Sequence, residues 1–461
     1  MDSLLFTLLM TVLGGIYLYI GYKASHKVTT IHDYFLAGQS FGTFALTIAL
    51  IATQLGGGVI LGTSNESYQH GLYGLLYVVS MSIGFLILAS GLAVRMKSFN
   101  VSTTAELMEK HYNSKTLRKV ASLLSILSLG GLLMAQVLAT KNLMISLQVF
   151  NPLLFWAFWL SVIVYTMMGG LRAVVDNDIF QLAFIMIVFC GLFIYEIFTT
   201  GFSAVLEILK NTQANAGEGF NIARLISIII IPACYSLIEQ DIAQHIFAAR
   251  SAAVAFSGSL SAAIIMLGFA IIPVYFGMKA AALSLSLAPG ANPLVALFDT
   301  YHSPIIVTFI VYGVIAAIIS TADALLCAIS SHIVQDFNIS KKTSHSLFAS
   351  KLVMLIVGIL AVIGGSYFTS IIDVIVGSYD IPVTTLFVSI MMAYIGYKAP
   401  TNAATYSIIG GLIGFVVFKL LHLIPVFSPE LFALGASALG YIVGIALTTA
   451  SSNTKNCCTH H

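Results

Sequence analysis

The hydrophobic residues of this chain are arranged in long continuous runs, which short polar loops separate. A bilayer core of about 30 Å is crossed by roughly 20 apolar residues in a helix that rises about 1.5 Å per residue. Runs of about this length predict thirteen membrane-spanning helices: Leu4–Ile20, Phe41–Tyr68, Leu72–Val94, Val120–Leu147, Leu153–Gly169, Ile179–Ile197, Ile222–Leu237, Val254–Phe276, Ile305–Ile329, Leu352–Phe368, Ile371–Ile395, Tyr406–Ile424 and Leu431–Thr448. The runs are continuous rather than alternating, which excludes a closed β-barrel. The predicted fold class is an all-α polytopic membrane protein.

The composition agrees with burial in lipid. Of the 461 residues, 59% are hydrophobic and 8% are charged, whereas a soluble domain carries roughly 25% charged residues. The 20 lysines and arginines are scattered over short loops, so a nucleic-acid partner is not expected. The five cysteines form neither a disulfide framework nor a CxxC metal motif. The expected partners are the lipid bilayer and a small-molecule solute; a monomer is sufficient, and the oligomeric state stays open.

Lysine and arginine concentrate in alternate loops, and this asymmetry predicts the orientation of the chain. With the N-terminus outside, fifteen of them are cytoplasmic: Lys23, Lys27, Arg95, Lys97, Lys110, Lys115, Arg118, Lys119, Arg172, Arg250, Lys341, Lys342, Lys351, Lys398 and Lys455. The other five lie at outer ends or in outer loops: Lys141, Lys210, Arg224, Lys279 and Lys419. We therefore expect a multi-pass protein of the plasma (inner) membrane, with its N-terminus outside and its C-terminus in the cytoplasm.

Two of the predicted spans contain residues that interrupt a helix. Gly56, Gly57 and Gly58 lie in the second span, and each glycine costs a helix roughly 1 kcal/mol relative to alanine. Pro232 lies in the middle of the seventh span and removes one backbone hydrogen bond. Interrupted helices at matching positions of two halves are typical of transporters built from inverted repeats. The alternative is that the glycines allow close helix packing and that the proline only kinks its helix.

Several motifs occur in one order along nearly the whole chain. They are residues 33–40, the stretch 52–62 with Tyr68 and Gly71, residues 165–174 with Asp178 and Gln181, residues 240–253 and residues 316–323. In these motifs the chain resembles the sodium/solute symporter family. The resemblance implies a single transmembrane transporter domain over residues 1–461, with a LeuT-like five-plus-five inverted repeat. One extra N-terminal helix would occupy residues 1–39, the two repeats residues 40–200 and 221–396, and two extra helices with the tail residues 397–461.

Three positions depart from the family pattern. His111 and His245 stand where the family often has arginine, and Asn177 precedes Asp178 where threonine is usual. His245 is expected in a cytoplasmic loop, where the loss of a positive charge would alter gating contacts.

The ninth span carries candidate ligands for a cation. Ala317, Ser320 and Thr321 are spaced i, i+3, i+4 and therefore share one helix face. The glycine break opposite would free the backbone carbonyls of Ala52 and Leu55, and sodium prefers hard oxygen ligands of these kinds. The resemblance implies that these five residues form the principal sodium site. The alternative is that the hydroxyls only bond back to their own helix.

Two carboxylates lie in or beside the spans, where charge is costly. Some members of the family bind a second sodium at the position of Asp178 and at hydroxyls of the ion-binding helix. Here two of those hydroxyl positions are Asp323 and Ala324, so Asp178, Ser320 and Asp323 are candidates for a second cation site or a proton site. The alternative is that Asp178 caps the start of its helix and that Asp323 bonds a neighbouring helix.

Candidate solute-binding residues are spread over several spans. They are Gln54, Gly56, Gly57, Gln136, Lys141, Tyr235 and Asp380. Lys141 is expected near the outside, where it would extend its charge to the interface. The alternative is that Lys141 and Gln136 line the outer vestibule and meet an anionic group of the solute.

The leading function is sodium-coupled symport of a small organic solute by alternating access, with sodium as the coupling ion. The alternatives are a proton-coupled symporter of the same fold and a solute sensor that does not transport. A channel is disfavoured because no filter motif is visible. An enzyme is not expected, because neither HExxH nor GxSxG occurs.

Overall fold

The computed structural model describes residues 3–211, 222–287, 291–339, 346–368, 371–421 and 428–458. Within these ranges the chain is all-helical apart from one isolated β-bridge, which confirms the predicted all-α class. The helices are α1 (Ser3–Ser25), α2 (Ile31–Leu36), α3 (Thr43–Gln54), α4 (Thr63–His70), α5 (Leu75–Ile87), α6 (Ala93–Ser98), α7 (Thr104–Tyr112), α8 (Lys115–Ser146), α9 (Pro152–Thr200), α10 (Phe202–Asn211), α11 (Ile222–Ile238), α12 (Gln240–Phe247), α13 (Ala252–Ala282), α14 (Pro293–Tyr301), α15 (Pro304–Ser331), α16 (Ser346–Tyr367), α17 (Ile371–Thr385), α18 (Phe387–Ile395), α19 (Thr401–Leu421) and α20 (Pro429–Cys458).

The described residues contain nine helices long and apolar enough to cross a membrane, or up to eleven if each bent pair counts as one span. The predicted count of thirteen is therefore not confirmed. Two features explain the lower number. Helix α9 has 49 residues and covers two predicted spans, although Gly170 inside it is not helical (φ 55°, ψ −143°). Helix α3, with 12 residues, is too short to cross alone.

The first predicted interruption lies where the glycines are. Helix α3 ends at Gln54, and Leu55 leaves the helical region with a ψ of 42°. The chain resumes as a single π-turn over Gly58–Gly62, followed by α4. The amides of Val59 and Ile60 both donate to the carbonyl of Gly56, at 3.0 and 3.3 Å. The regular backbone hydrogen bonds of α3 therefore end before Gly56, and a new set begins at its carbonyl.

The sequence predicted the second interruption at Pro232, but the structure has it further along the chain. Helix α11 continues through Pro232 to Ile238, and the chain bends by 44° at Glu239 before α12 begins. A proline removes one amide and kinks a helix without necessarily ending it. Glu239 is extended (φ −76°, ψ 148°), and its carboxylate accepts the Gln240 amide at 3.3 Å. The break therefore results from an acidic N-cap seven residues after the proline.

Contacts between distant parts of the chain bring the two broken helices together. Helices α3, α12 and α15 all pack against one another. Phe41, just before α3, pairs with Ala249, just after α12, in an isolated parallel bridge, and the Arg250 amide donates to the Phe41 carbonyl at 2.9 Å. The start of α3 and the end of α12 are therefore joined, and both helices lie against α15.

Candidate cation and solute site

The hydroxyls of α15 point at the open end of α3. Ser320 Oγ lies 3.0 Å from the carbonyl oxygens of both Ala52 and Ala317. Thr321 Oγ1 lies 3.0 Å from the carbonyl oxygen of Thr53 and 3.3 Å from that of Ala317. Two hydroxyls and three carbonyls therefore converge in a cluster that contains four of the five predicted sodium-site residues. Thr53 joins this cluster through its carbonyl, although the sequence analysis named Leu55 instead.

The backbone of the break supplies further unpaired oxygens. No backbone amide in the described part of the chain donates to the carbonyls of residues 52–55. Leu55 is fully buried, and the described hydrogen bonds of the two hydroxyls go to other carbonyls. Gly56 touches α15 so closely that a Cβ there would overlap Thr321 Oγ1 and lie 3.1 Å from Thr321 Cβ. Only a residue without a side chain lets α15 come this near to the break.

A small cavity lies beside this oxygen cluster. Its free volume of about 30 Å³ has room for roughly two water molecules. The residues that line it come from both breaks and from α5, α8, α15 and α17: Thr53, Gln54, Gly56, Gly58, Val59, Tyr77, Leu132, Gln136, Tyr235, Asp241, Thr321, Leu325 and Tyr379. Thr321 belongs both to the oxygen cluster and to this lining, so the two regions share a wall.

Four of the predicted solute residues line this cavity: Gln54, Gly56, Gln136 and Tyr235. A fifth, Gly57, lies next to it, since a Cβ there would be 3.6 Å from Gln136 Oε1. The cavity is also lined by Tyr77, Asp241 and Tyr379. The sequence did not predict these three, because their helices are brought together only by the tertiary packing.

Two predicted solute residues lie elsewhere. Lys141 Nζ donates to the carbonyl of Ser366 at 3.0 Å, in the last turn of α16, where helix carbonyls lack partners and attract cations. Asp380 follows Tyr379 on α17 but does not line the cavity, because successive side chains on a helix point about 100° apart. The alternative placement of Lys141 and Gln136 in one vestibule is therefore not seen.

Asp178 and Asp323 lie in a second, separate polar cluster. Both carboxylates are fully buried, and they are close enough to interact electrostatically. Tyr165 donates its hydroxyl to Asp323 Oδ2. Both oxygens of Asp178, Oδ1 of Asp323 and both polar atoms of Gln181 make no hydrogen bond with the described residues.

The alternative role of Asp178 as a helix cap is wrong. Asp178 lies well inside α9, eight residues after the break at Gly170, because the second half of α9 begins earlier than hydropathy indicated. The alternative role of Asp323, a bond to a neighbouring helix, is seen in part, because Tyr165 of α9 donates its hydroxyl to Asp323. Ser320, which the sequence grouped with these two acids, donates instead to the carbonyls of Ala52 in α3 and Ala317 in its own helix.

His245 is not in a cytoplasmic loop. It is fully buried in α12, and its Nε2 lies 3.0 Å from Thr53 Oγ1. Helix α12 forms after the bend at Glu239, so a position predicted to be loop becomes helix and enters the core. His111, in contrast, ends α7, where its Nε2 lies 2.9 Å from the carbonyl oxygen of Tyr397. His245 therefore connects the second broken helix to the first beside the oxygen cluster.

The chain is similar in sequence to known proteins over most of its length. A profile of the sodium:solute symporter family matches residues 34–411. A sodium/glucose cotransporter of Vibrio parahaemolyticus is 26% identical over 40% of this chain, although the match covers only 34% of that relative. A sodium/pantothenate symporter of Escherichia coli is similar over 36% of its own length. A sodium/proline symporter of Haemophilus influenzae is 25% identical over 78% of this chain and 77% of its own.

Two solved structures share the fold. A Na⁺-coupled sialic acid symporter, in a substrate-bound outward-open state with a novel Na⁺ site, superposes with a TM-score of 0.80. The match has 19% identity and covers 95% of this chain and 96% of the other. A nucleobase-cation-symport-1 family transporter in a closed conformation has a TM-score of 0.58, with 16% identity over 91% of this chain and 94% of its own. The fold is therefore that of LeuT-type transporters.

Proposed function

The chain belongs to the sodium:solute symporter family, and from this membership we propose that it couples the entry of sodium to the uptake of a small organic solute by alternating access. The nine to eleven apolar helices among the described residues support a place in a membrane. The electrical potential would contribute about 2.3 kcal/mol per sodium charge per 100 mV. The charge asymmetry of the loops supports an outside N-terminus and a cytoplasmic C-terminus.

The observation that carries the proposal is the oxygen cluster between α3 and α15. Its members are hydroxyl and carbonyl oxygens, which are hard neutral ligands suited to a monovalent cation. Ser320 and Thr321 now donate to the α3 carbonyls. When sodium occupies the cluster, the same five oxygens would turn their lone pairs towards it. Leu55 would join as a sixth ligand, through a carbonyl that no described backbone amide occupies.

Sodium in this cluster would couple to the solute through shared structure. Thr321 and the break residues Thr53 and Gly56 also line the cavity. Drawing α3 against α15 would therefore fix one wall of the solute site. This linkage supports sodium binding before the solute, and the solute in turn would retain the sodium, because coupling between two sites is reciprocal.

The test separates ion binding from transport. One sample of the purified chain is heated in detergent with 100 mM NaCl or 100 mM KCl and no solute, and its unfolding temperature is measured. A second, unheated sample is reconstituted into liposomes, and solute uptake is measured with and without a sodium gradient. A sodium-specific stabilisation of about 2.7 kcal/mol is expected if the dissociation constant is near 1 mM. Equal unfolding temperatures in the two salts, together with uptake that ignores the gradient, would refute sodium coupling.

We further propose that Asp178 and Asp323 form a second cation site. Their three unpartnered carboxylate oxygens, with Gln181 beside them, lie in the protein interior. Two buried acids without a positive partner need a counter-charge or a proton. The occupant would be a second sodium or a proton, and the pH dependence of the sodium titration distinguishes the two.

A further inference from the structure

The cavity at the two breaks contains an acidic side chain. Asp241, in the first turn of α12, lines the cavity and is 4% exposed. Its Oδ1 accepts the Ile242 amide at 2.9 Å. Among the described residues that line the cavity there is no lysine, arginine or histidine. The sequence offered no signal for this carboxylate, because its place depends on the bend at Glu239.

The described residues provide no counter-charge for this side chain. Asp241 forms no ion pair within the described ranges, and Glu239, two residues earlier, adds a second buried carboxylate. Glu239 faces away from the cavity, where the Ser125 hydroxyl donates to its Oε2 at 2.9 Å. A buried carboxylate without a cation costs several kcal/mol. The Asp241 carboxyl must therefore take up a proton or pair with a cation, and the other groups of the cavity wall favour a cation that the ligand supplies.

Two further polar atoms of the cavity wall are unpartnered. Gln136 Oε1 and the Tyr235 hydroxyl make no hydrogen bond with the described residues, and both side chains are more than nine-tenths buried. Amide oxygens and ionised carboxylates accept hydrogen bonds but cannot donate them. Gln136 and Asp241 together therefore require donors on the ligand.

The rings around the cavity favour a positive group as well. Tyr77 and Tyr379 exchange a hydrogen bond between their hydroxyls at 2.9 Å, and the rings of Tyr235 and Tyr379 meet edge to face with centroids 4.4 Å apart. All three rings line the same cavity as Asp241. The face of a tyrosine ring attracts a cation, most strongly where water is excluded.

We propose that the solute carries an ammonium group with at least one N–H. At the junction of the two broken helices, Asp241 neutralises the charge of this group and Gln136 Oε1 accepts a hydrogen bond from it. This inference rests on the proposed transport function. Hydroxyl groups of an uncharged solute would satisfy Gln136 but would leave the charge of Asp241 uncompensated. Sodium has its own ligands in the oxygen cluster, so it is not needed here.

The experiment uses the full chain and pairs of probes that differ in one group. The pairs are L-alanine with L-lactate, L-proline with tetrahydro-2-furoate, and ethanolamine with ethylene glycol. Glycine betaine tests the need for an N–H. Uptake into proteoliposomes and probe-induced thermal stabilisation are measured at saturating sodium for the wild type, Asp241→Asn and the control Glu430→Gln, which removes a carboxylate at the start of α20.

At least one ammonium probe should be taken up while its oxygen partner is not. Asp241→Asn should raise the KM for that probe roughly 10- to 100-fold, the loss expected for a charge-assisted hydrogen bond. The sodium-induced stabilisation without solute should stay unchanged in Asp241→Asn, and Glu430→Gln should behave as wild type.

Several results would overturn the inference without touching sodium coupling. They are a response to oxygen partners but to no ammonium probe, a response to glycine betaine alone, or an unchanged KM in Asp241→Asn. A loss of sodium stabilisation in Asp241→Asn would instead make Asp241 part of a cation site. The proposed symport itself fails only if the wild type shows no sodium effect of any kind.

Discussion

His245 Nε2 lies 3.0 Å from Thr53 Oγ1, and this contact joins the second broken helix to the first in the fully buried centre of the protein. The same Thr53 offers its backbone carbonyl to the Thr321 hydroxyl. One residue therefore connects α12 through its side chain and α15 through its main chain. A movement of α12 would be transmitted directly to the candidate sodium ligands.

This contact can be measured by a double-mutant cycle. Thr53→Val keeps the shape and the carbonyl but removes the hydroxyl, so it should lower the free energy of unfolding by about 1–3 kcal/mol, since His245 would lose its partner. His245→Gln should cost a similar amount. The double variant should show a coupling of roughly 0.5–3 kcal/mol between the two positions, measured by thermal unfolding in detergent. Strictly additive effects would mean that the two residues do not act as a pair.

The hydroxyls of α15 should determine sodium affinity. Ser320→Ala and Thr321→Ala each remove one oxygen of the cluster without opening a large cavity, so the protein should fold and its sodium affinity should fall roughly tenfold. Ser330→Ala is the matched control, because Ser330 is a buried serine of the same helix whose hydroxyl donates, among the described residues, to the carbonyl of Leu326. Sodium titrations of uptake provide the measurement. If the double alanine variant of Ser320 and Thr321 kept the wild-type titration, the proposed site would be wrong.

The closeness of α15 to the glycine break predicts a steric effect. Gly56→Ala should displace Thr321, because the new methyl group would overlap its hydroxyl, and sodium affinity should fall as far as in Thr321→Ala. Gly62→Ala, at the other end of the π-turn, has no neighbour within 4 Å of the new Cβ and should be close to neutral. A comparison of the two sodium titrations tests this. Equal affinities in the two variants would show that α15 and the break do not need to touch.

The buried acids Asp178 and Asp323 predict a change in ion coupling. Asp323→Asn should leave the first site nearly intact but should lower the sodium cooperativity of uptake, or change its pH dependence if a proton is bound. Tyr165→Phe removes only the hydroxyl that bonds Asp323 and serves as the control for lost packing. Uptake is titrated with sodium at two pH values. Curves that superimpose on the wild type at both values would leave a single-sodium mechanism.

The predicted orientation can be tested by labelling. In a cysteine-free background, Lys341→Cys should be shielded from an impermeant thiol reagent in intact cells, and Asn215→Cys should react. Both positions lie outside the described residues, so the expectation rests on the distribution of lysine and arginine alone. Disruption of the membrane should expose Lys341→Cys to the reagent. The reverse pattern of labelling would invert the topology.

The first break and most of the oxygen cluster were predictable because their signals are local. Three glycines in an apolar run and an i, i+3, i+4 face of Ala317, Ser320 and Thr321 can be recognised without tertiary structure. The second break was misplaced, because proline is a stronger sequence signal than the acidic N-cap at Glu239 that actually ends α11.

The remaining differences depend on packing that a linear sequence does not show. Asp178 was expected at a helix start, since hydropathy drops where polar residues follow the break at Gly170. The sharp turn there is visible only in the fold, where a Cβ on Gly170 would overlap the carbonyl oxygen of Tyr34. His245 and Asp241 became core and cavity residues for a similar reason, because the helix that carries them begins only after the bend.

The hydrogen bonds from Ser320 and Thr321 to α3 have a consequence for biosynthesis. Donor and acceptor are 268 residues apart in each bond. More than half of the chain must therefore be synthesised after Ala52 and Thr53 before the hydroxyls that donate to their carbonyls are present. An unsatisfied backbone carbonyl in lipid costs several kcal/mol. The nascent α3 must therefore stay near water, the insertion machinery or other helices until α15 arrives. A chain truncated before α15 should consequently be recognised and degraded, and the most demanding step of assembly comes late in synthesis.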